Sequence, residues 1–308
     1  MATYLISLLY RNTRTSGVSL VLLCAPVSHA TLRRVRYEKI PWSRRLWESF
    51  AQTIVRKGGY LVIDDTSWER FTRVAQAVSW VWSSSIGKPV WGMQVVLLLW
   101  TDGKWKVPLG IRVWRKGGPS KVELAVGLLR QAQRRGLQPA YVLADSWYAA
   151  AQILNLLDGW GWRYVMRLKS NRKLDKQSLR TTWPHRYGQA RGKLSGVQHA
   201  VVVVKDGRRY WGTNDLQLTP REIKAQYAHR QQIEETFRLL KQEFGWGRCS
   251  CQHSQAQWAH LHLGLYALFL TQHTAFTRGQ TIYAFRQSLF LRPIPQNPSS
   301  LQEFAQAA

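Results

Sequence analysis

Residues 227–241 read YAHRQQIEETFRLLK, the most specific pattern in this sequence of 308 residues. On a helix, at about 100° per residue, four polar side chains fall within roughly 60° of one another: Tyr227, Arg230, Glu234 and Lys241. An apolar stripe lies about 80° away and can anchor the helix in the core: Ile233, Phe237, Leu240 and Phe244. The pattern therefore predicts a helix that packs in the core with its apolar face and binds phosphates with the adjacent polar face.

Upstream of this helix, two predicted strands each end in aspartate. In GGYLVIDDTSWER (58–70), an apolar run follows two glycines and stops at Asp64 and Asp65. In PAYVLADSWYAAAQILNLL (139–157), a second apolar run stops at Asp145, and a helical pattern follows at once. Either Asp64 or Asp65 can face a site at the strand's tip, because a slip of one residue reverses side-chain direction along a strand.

Two strand-end aspartates and one helical glutamate suit phosphodiester chemistry. Cleavage at neutral pH needs a strong nucleophile and stabilisation of charge on the phosphate oxygens, which two divalent ions about 4 Å apart provide. Mg²⁺ prefers oxygen ligands and keeps several waters, so a few convergent carboxylates suffice to hold it. The sequence therefore predicts a carboxylate metal site at one edge of a sheet.

The spacing of Tyr227, Arg230, Glu234 and Lys241 resembles the Tyr-Arg-Glu-Lys signature of insertion-sequence DDE transposases. In that family the first acid lies in an Asp-x-Thr element after a strand, which Asp64-Asp65-Thr66 resembles and which favours Asp64 over Asp65. The second acid also follows a strand, as Asp145 does. The resemblance covers about residues 58 to 275.

The resemblance implies an α/β, ribonuclease-H-like catalytic domain, with a mixed sheet flanked by helices and a β-rich insertion between the second Asp and the Glu. Asp64, Asp145 and Glu234 would be catalytic and hold two Mg²⁺ ions, with Mn²⁺ able to substitute. Three residues would bind phosphates near the transposon end: Tyr227, Arg230 and Lys241. Two tryptophans of the insertion would be candidates for stacking on a flipped base, although each is more typical of a core: Trp183 and Trp211.

The charge balance points to the same kind of partner. Lys and Arg total 44 against 17 Asp and Glu, for a net charge of +27 and a pI near 10.7. Such a surplus, spread over the whole length, favours many phosphate contacts along nucleic acid. We expect double-stranded DNA as the partner, both transposon ends and target, bound by a homodimer. Nothing in the pattern indicates a membrane partner.

Other cofactors and a disulfide framework are not expected. The glycine-containing stretches match no phosphate loop or dinucleotide fingerprint, so no nucleotide cofactor is predicted. The three cysteines, Cys24, Cys249 and Cys251, are odd in number, and the last two are too close together for a typical zinc site. Unpaired cysteines suit a reducing compartment, and we expect a prokaryotic, cytoplasmic and nucleoid-associated protein.

The composition along the chain predicts five segments. The first is a basic helical N-terminal segment, interpreted as a shortened DNA-binding region and divided by Pro41 into two helices. The catalytic domain follows in two parts around the insertion, and Thr219, Pro220 and Glu222 form a capping-box start for the helix of Glu234. The segments, ending in a C-terminal tail, are 1–57, 58–168, 169–215, 216–275 and 276–308.

Two rival functions belong to different classes. A ribonuclease-H-like nuclease would hydrolyse DNA with the same carboxylates but would not join strands. A catalytically inactive, transposase-derived DNA-binding protein would use only the basic surface. The intact acids count against the second rival, and a strand-joining assay separates the first from a transposase.

Overall fold

The computed structural model describes residues 37–70, 77–83, 86–183, 185–249 and 251–290. The first of the two predicted N-terminal helices and the residues after Arg292 therefore lie outside the described parts. Contacts divide the chain into two compact units. The first contains Met1–Ala51, Ser67–Met93 and Glu235–Ala308, and the second contains Gln52–Thr66 and Gln94–Glu234.

Nine of the described strands share one mixed sheet, as the resemblance implied. The strands are β1 (Tyr60–Glu69), β2 (Ser79–Ser83), β3 (Lys88–Thr101), β4 (Lys106–Trp114), β5 (Tyr141–Ala144), β6 (Tyr164–Leu168), β9 (Tyr187–Gly192), β10 (Val201–Asp206) and β11 (Arg209–Thr213). They run in the order β2-β3-β1-β5-β6-β11-β10-β9, and β4 pairs with β3. Two short strands form a second sheet: β7 (Lys173–Leu174) and β8 (Gln177–Ser178).

The central strands of the second unit are parallel and apolar. β1 pairs with β5, and β5 pairs with β6, all in parallel. Every residue of β5 is buried, and so are Leu61, Val62 and Ile63 of β1. Strands covered on both faces read as continuous hydrophobic runs, which explains why both were visible in the sequence.

Strand β5 ends at Ala144, so Asp145 follows a strand end as predicted. The prediction for β1 was wrong, because this strand continues past both aspartates to Glu69. A second partner carries it on: β1 also neighbours β3, and Arg70 N donates to Trp91 O directly after the strand. The parallel pairing with β5 does stop at Ile63, so Asp64 still lies where that ladder ends.

Two hairpins extend the main sheet. β3 and β4 pair antiparallel around the turn at Asp102 and Gly103, where Asp102 Oδ1 accepts two backbone N–H groups and Gly103 has φ 97°. β10 and β11 pair antiparallel around Asp206 and Gly207. The β-rich region between the second Asp and the Glu continues the main sheet, since β11 pairs with β6.

Helices flank these strands. In the second unit they are α2 (Lys121–Arg134), α3 (Ala151–Gly159), α4 (Leu179–Thr182) and α5 (Pro220–Ala228); α6 (Gln231–Gln242) follows α5 and runs from the second unit into the first. Ser120 and Glu123 cap α2 reciprocally, and Thr219 and Glu222 do the same for α5, as the sequence predicted for the latter. Helix α3 begins six residues after Asp145 rather than at once, because a turn intervenes.

The predicted single helix through residues 220–244 is broken. Helix α5 ends at Ala228 and α6 begins at Gln231. Around the junction, Arg230 N bonds to Tyr227 O and Ile233 N to Arg230 O, which is the tighter spacing of three residues. The imidazole of His229 stacks on Tyr60, with centroids 4.1 Å apart, and fixes the break.

The first unit has a helical core of its own. Its helices within the described residues are α1 (Trp42–Phe50), α7 (Ser254–Thr277) and α8 (Ile282–Phe290), with a 3-10 turn at Trp246–Arg248. Helix α1 begins directly after Pro41, as predicted, and buries Trp42 against His262 of α7. Helix α7 is apolar, and most of its residues are buried. Helix α8 lies inside the segment 276–308 that the sequence predicted as a C-terminal tail.

Candidate active site

The guanidinium of Arg230 joins two of the three predicted metal ligands. Its Nη2 donates to Asp64 Oδ2, and its Nη1 donates to Glu234 Oε1, four residues further along the chain. The side chains of Arg230 and Asp64 are 16% and 13% exposed, whereas that of Glu234 is 48% exposed. The site therefore has a buried inner carboxylate and an open outer one, with a cation between them.

Asp145 lies beside Asp64 because of strand register. The last register pair of β1 and β5 is Ile63 with Ala144, so Asp64 and Asp145 are the residues that directly follow this pair. Adjacent strands lie about 4.8 Å apart. Asp145 Oδ1 accepts from Trp147 N at 2.9 Å, which orients its carboxylate.

The pKa of Asp64 shows that burial and the neighbouring acids disfavour its ionised form. Burial raises its pKa from 3.8 to about 7; the charges of Asp145 and Asp65 raise it as well, while Arg230 lowers it. Burial lowers the pKa of Arg230, but Asp64, Tyr227 and Glu234 outweigh burial and hold it above its ordinary value. The site thus places a buried carboxylate beside a half-buried one, an arrangement that a cation stabilises.

Asp65 points into a different environment. Its carboxylate accepts from Lys121 Nζ at 2.9 Å, from Tyr148 Oη at 2.6 Å and from Gln94 Nε2. Three donors occupy its oxygens, so little capacity remains for a metal. The alternation of side chains along β1 therefore separates the two aspartates, and the arrangement favours Asp64, the choice made from the sequence.

The other predicted DNA-binding residues lie in separate surroundings. Burial raises the pKa of Tyr227, whose phenol also feels the charges of Arg230 and Asp145, so it lies close to the carboxylates. Lys241 instead donates to Ser67 O at 2.9 Å, and burial lowers its pKa. Because of the break between α5 and α6, Tyr227 lies on a different helix from Glu234 and Lys241.

The residues fit a hard divalent cation in charge and chemistry. The three predicted ligands offer only carboxylate oxygens, the donors that Mg²⁺ takes. In the described ranges no three His, Cys, Asp or Glu side chains are gathered closely enough to hold a metal ion. Arg230 supplies the positive charge between Asp64 and Glu234.

Two tryptophans were sequence candidates for base stacking, and the structure separates them. Trp211 is 6% exposed, with the Arg167 guanidinium over its ring, and it belongs to the core. Trp183 is half-buried and stacks on Tyr210. Sequence reasoning missed Trp147, which is 50% exposed beside Asp145. Trp80 and Trp82 are exposed as well, and nothing in the sequence marks which of the 16 tryptophans lie at the surface.

These observations define a class of site: acidic residues at the end of parallel strands in a ribonuclease-H-like sheet, with a glutamate on a following helix. A family model described as the transposase DDE domain matches residues 57–270. The match covers more than half of the chain, so the chain belongs to the DDE transposase family and is a DNA transposase. Members of this family depend on divalent metal. A search of curated proteins found no match.

Solved structures agree on the fold. The piggyBac transposase in its synaptic complex with hairpin DNA is similar at a TM-score of 0.55 and 11% identity, over 99% of this chain and 74% of that one. The NurA nuclease from Sulfolobus solfataricus aligns at a TM-score of 0.29 and 11% identity, over 64% of this chain and 85% of that one. Only the first similarity is high enough to support the ribonuclease-H-like fold.

A helix that crosses a membrane must be both long and apolar. Of the helices in the described chain, none meets both requirements.

Proposed function

We propose that this transposase cleaves transposon ends and joins them to target DNA, with Asp64, Asp145 and Glu234 as its metal ligands. The observation that carries the proposal is the charge arrangement of the site. Asp64 and Asp145 are adjacent in register, and one guanidinium ties Asp64 to Glu234. A cation stabilises the ionised form of acids that crowd around a buried position.

The metal supplies the chemistry that carboxylates alone lack. Two divalent ions, Mg²⁺ with Mn²⁺ able to substitute, would activate the attacking oxygen and stabilise charge on the phosphate and leaving oxygens. Asp64 would hold an ion from the buried side and Glu234 from the open side. Asp145, oriented by Trp147 N, would complete the ligand set.

Arg230 has two successive partners in this proposal. Without metal it neutralises Asp64 and Glu234. Its Nε is buried and has no hydrogen-bond partner in the described ranges, so this donor is unused. When metal takes over the carboxylates, the freed guanidinium would bind a DNA phosphate, the anion that its planar fork fits. Tyr227 and Lys241 would bind phosphates beside it.

The DNA partners follow from the charge and the family. A net charge of +27 supports binding of both transposon ends and target duplex, which we propose occurs in a homodimer. The solved piggyBac structure is a synaptic complex with DNA, and this similarity supports the same kind of assembly here. We further propose that the protein acts in a prokaryotic cytoplasm, associated with the nucleoid.

Paired glutamate variants test the chemistry. Glu234→Gln keeps the shape but removes a negative ligand, so we expect cleavage and strand transfer to fall about 1,000-fold, since a metal contributes several kcal/mol of charge stabilisation. DNA binding should persist, because it comes from many dispersed cations. Glu235→Gln is the matched control and should be nearly silent. The measurements are Mg²⁺-dependent cleavage and gel shift on cognate ends.

The result also decides between rivals. Equal cleavage by Glu234→Gln and wild type would overturn the carboxylate assignment. Pre-cut ends given to the wild type separate transposase from nuclease: joined products are expected, and hydrolysis without joining would support the nuclease. Wild type that binds but neither cuts nor joins would support the binding-only reading.

A further inference from the structure

The break between α5 and α6 has no local cause in the sequence. Residues 226–233 read QYAHRQQI and contain neither proline nor glycine, the residues that usually interrupt a helix. Alanine, glutamine and arginine are good helix formers, so this stretch would extend one continuous helix if nothing else acted on it. The cause of the break therefore lies in contacts with other parts of the chain.

His229, at the break, packs its ring against two other elements of the second unit. Its imidazole lies nearly parallel to the Tyr60 ring, with an interplanar angle of 17° and centroids 4.1 Å apart. On the β3–β4 turn Gly103 has no side chain, and a Cβ there would lie 3.7 Å from His229 Cε1. The imidazole makes no hydrogen bond or ion pair to any residue that the structure describes. Its contacts are thus made by the surface of the ring rather than by its nitrogens.

The chain at the break is attached to β1 at two points. Tyr60 and Asp64 share one face of this strand, because they are four residues apart and side chains alternate; at about 3.3 Å per residue they are separated by roughly 13 Å along it. His229 contacts Tyr60, and the next residue, Arg230, donates to Asp64. Tyr60 Oη also donates to Gln226 Oε1 at 2.8 Å, three residues before His229. The aromatic contact therefore fixes the backbone from which the guanidinium reaches the inner acid.

From this geometry we infer that His229 is a positioning residue for the proposed reaction: its stack on Tyr60 holds the helix break, and the break directs Arg230 and Glu234 toward Asp64. Without the stack the segment would return to a continuous helix, in which each residue turns by about 100° and the guanidinium leaves its place between the carboxylates. Glu234, in the first turn of α6, would move with it. His229 acts only through these neighbours and touches neither metal nor phosphate. The inference rests on the proposed function, because it concerns the placement of the same acids.

Cleavage kinetics with a matched control test the inference. His229→Ala should lower kcat for end cleavage about 10- to 100-fold, because a displacement of about 1 Å at a catalytic group can cause such a loss. The Mg²⁺ concentration that gives half the maximal rate should rise several-fold, whereas duplex affinity in EDTA should change less than about twofold. His199→Ala removes another histidine beside a tyrosine, Tyr164, and should alter neither kcat nor the Mg²⁺ requirement. Thermal melting identifies a temperature at which all variants are folded.

Variants that retain a ring separate stacking from the chemistry of the imidazole. His229→Phe and Tyr60→Phe each keep an aromatic pair, so both should restore most of the wild-type rate and Mg²⁺ dependence. Tyr60→Ala should lose at least as much as His229→Ala, and the double alanine variant should be no slower than Tyr60→Ala, because both changes remove one shared contact. His229→Phe as slow as His229→Ala, additive losses in the double variant, or a wild-type Mg²⁺ requirement in His229→Ala would each overturn the inference.

The Nε–H resonance of Arg230 reports the placement of its guanidinium without chemistry. In EDTA, with nitrogen-15 arginine and assignment by Arg230→Lys, this resonance should shift in His229→Ala and stay unchanged in His199→Ala. If it shifts as expected while Glu234→Gln cleaves like wild type, the placement of Arg230 stands and the carboxylate mechanism is refuted. If cleavage depends on Glu234 but His229→Ala matches wild type in both its resonance and its Mg²⁺ requirement, only the role of His229 is refuted.

Discussion

Asp64 and Asp65 are neighbours on one strand, yet they lie in opposite electrostatic environments. Asp65 accepts from Lys121, Tyr148 and Gln94, so its negative charge is satisfied by fixed donors. Asp64 is buried beside Asp145, and its cation is the side chain of Arg230. The first arrangement stabilises the fold, and the second stores unfavourable charge that a metal could relieve.

The contrast shows how a strand can divide structural and chemical tasks between adjacent residues. Because side chains alternate along β1, Asp65 meets fixed donors while Asp64 faces the site. One donor to Asp65 is Tyr148, which lies three residues after Asp145, so this hydrogen bond ties the two acid-bearing segments together. Polar satisfaction, rather than residue type, therefore distinguishes a structural carboxylate from a candidate ligand.

The largest expected effect on cleavage comes from removing the negative charge at Asp64, compared with the same change at Asp65. Asp64→Asn should lower Mg²⁺-dependent end cleavage about 1,000-fold, because a metal loses its buried anionic ligand. Asp65→Asn should leave the cleavage rate within about tenfold of wild type, because Asp65 positions its neighbours and does not bind the metal. Initial rates on a labelled transposon end measure both. A dead Asp65→Asn with an active Asp64→Asn would reverse the assignment.

The stored charge should appear as a pH dependence of stability in EDTA. The pKa of Asp64 is raised from 3.8 to about 7, so the folded state binds this proton more tightly than the unfolded state. Stability from this group is therefore full below pH 4 and falls as pH rises to 7, by about 4 kcal/mol at most. Urea unfolding at a series of pH values should show a weaker fall in Asp64→Asn than in wild type. Identical pH profiles would contradict this account.

Because the Asp65 carboxylate is fully hydrogen-bonded, removing one of its donors should cause a loss of stability of ordinary size. Tyr148→Phe removes one hydrogen bond to the buried Asp65 carboxylate and should lower the free energy of unfolding by about 1.5 to 3 kcal/mol. Tyr187→Phe, at a tyrosine that is 61% exposed, is the control and should change nothing measurable. Chemical denaturation at pH 7 measures both variants. Equal stability of Tyr148→Phe and wild type would show that Asp65 needs no third donor.

The smallest effect concerns Lys241, which bonds to a backbone carbonyl rather than to a carboxylate. Lys241→Met keeps the apolar stem and should cost about 1 kcal/mol of stability, because a single hydrogen bond to Ser67 O is lost. If Lys241 also binds phosphate, the same variant should weaken binding to transposon ends several-fold at moderate salt. Unchanged end binding would leave Lys241 with a structural role alone.

The site could be anticipated in part because its signals are local. The capping box at Thr219 and Glu222, the strand before Asp145 and the spacing of Arg230 to Glu234 each lie within a few residues, where backbone geometry dictates contact. The helix break at His229 escaped prediction, because the stacking of His229 on Tyr60 joins residues far apart in sequence. That break is why Tyr227 and Lys241 do not share one helical stripe.

The sequence by itself determined the chemistry that is available: a strongly basic chain, two apolar runs that reach aspartates, and a helix segment with one apolar face. Only the tertiary structure decided how these residues are used. Pairing with β3 carried β1 on to Glu69, and the partners of Asp65 distinguished it from Asp64. Packing also buried Trp211 and left Trp147 open. The physical reason is that sequence periodicity fixes which face a side chain takes, whereas its burial and charge partners come from distant segments.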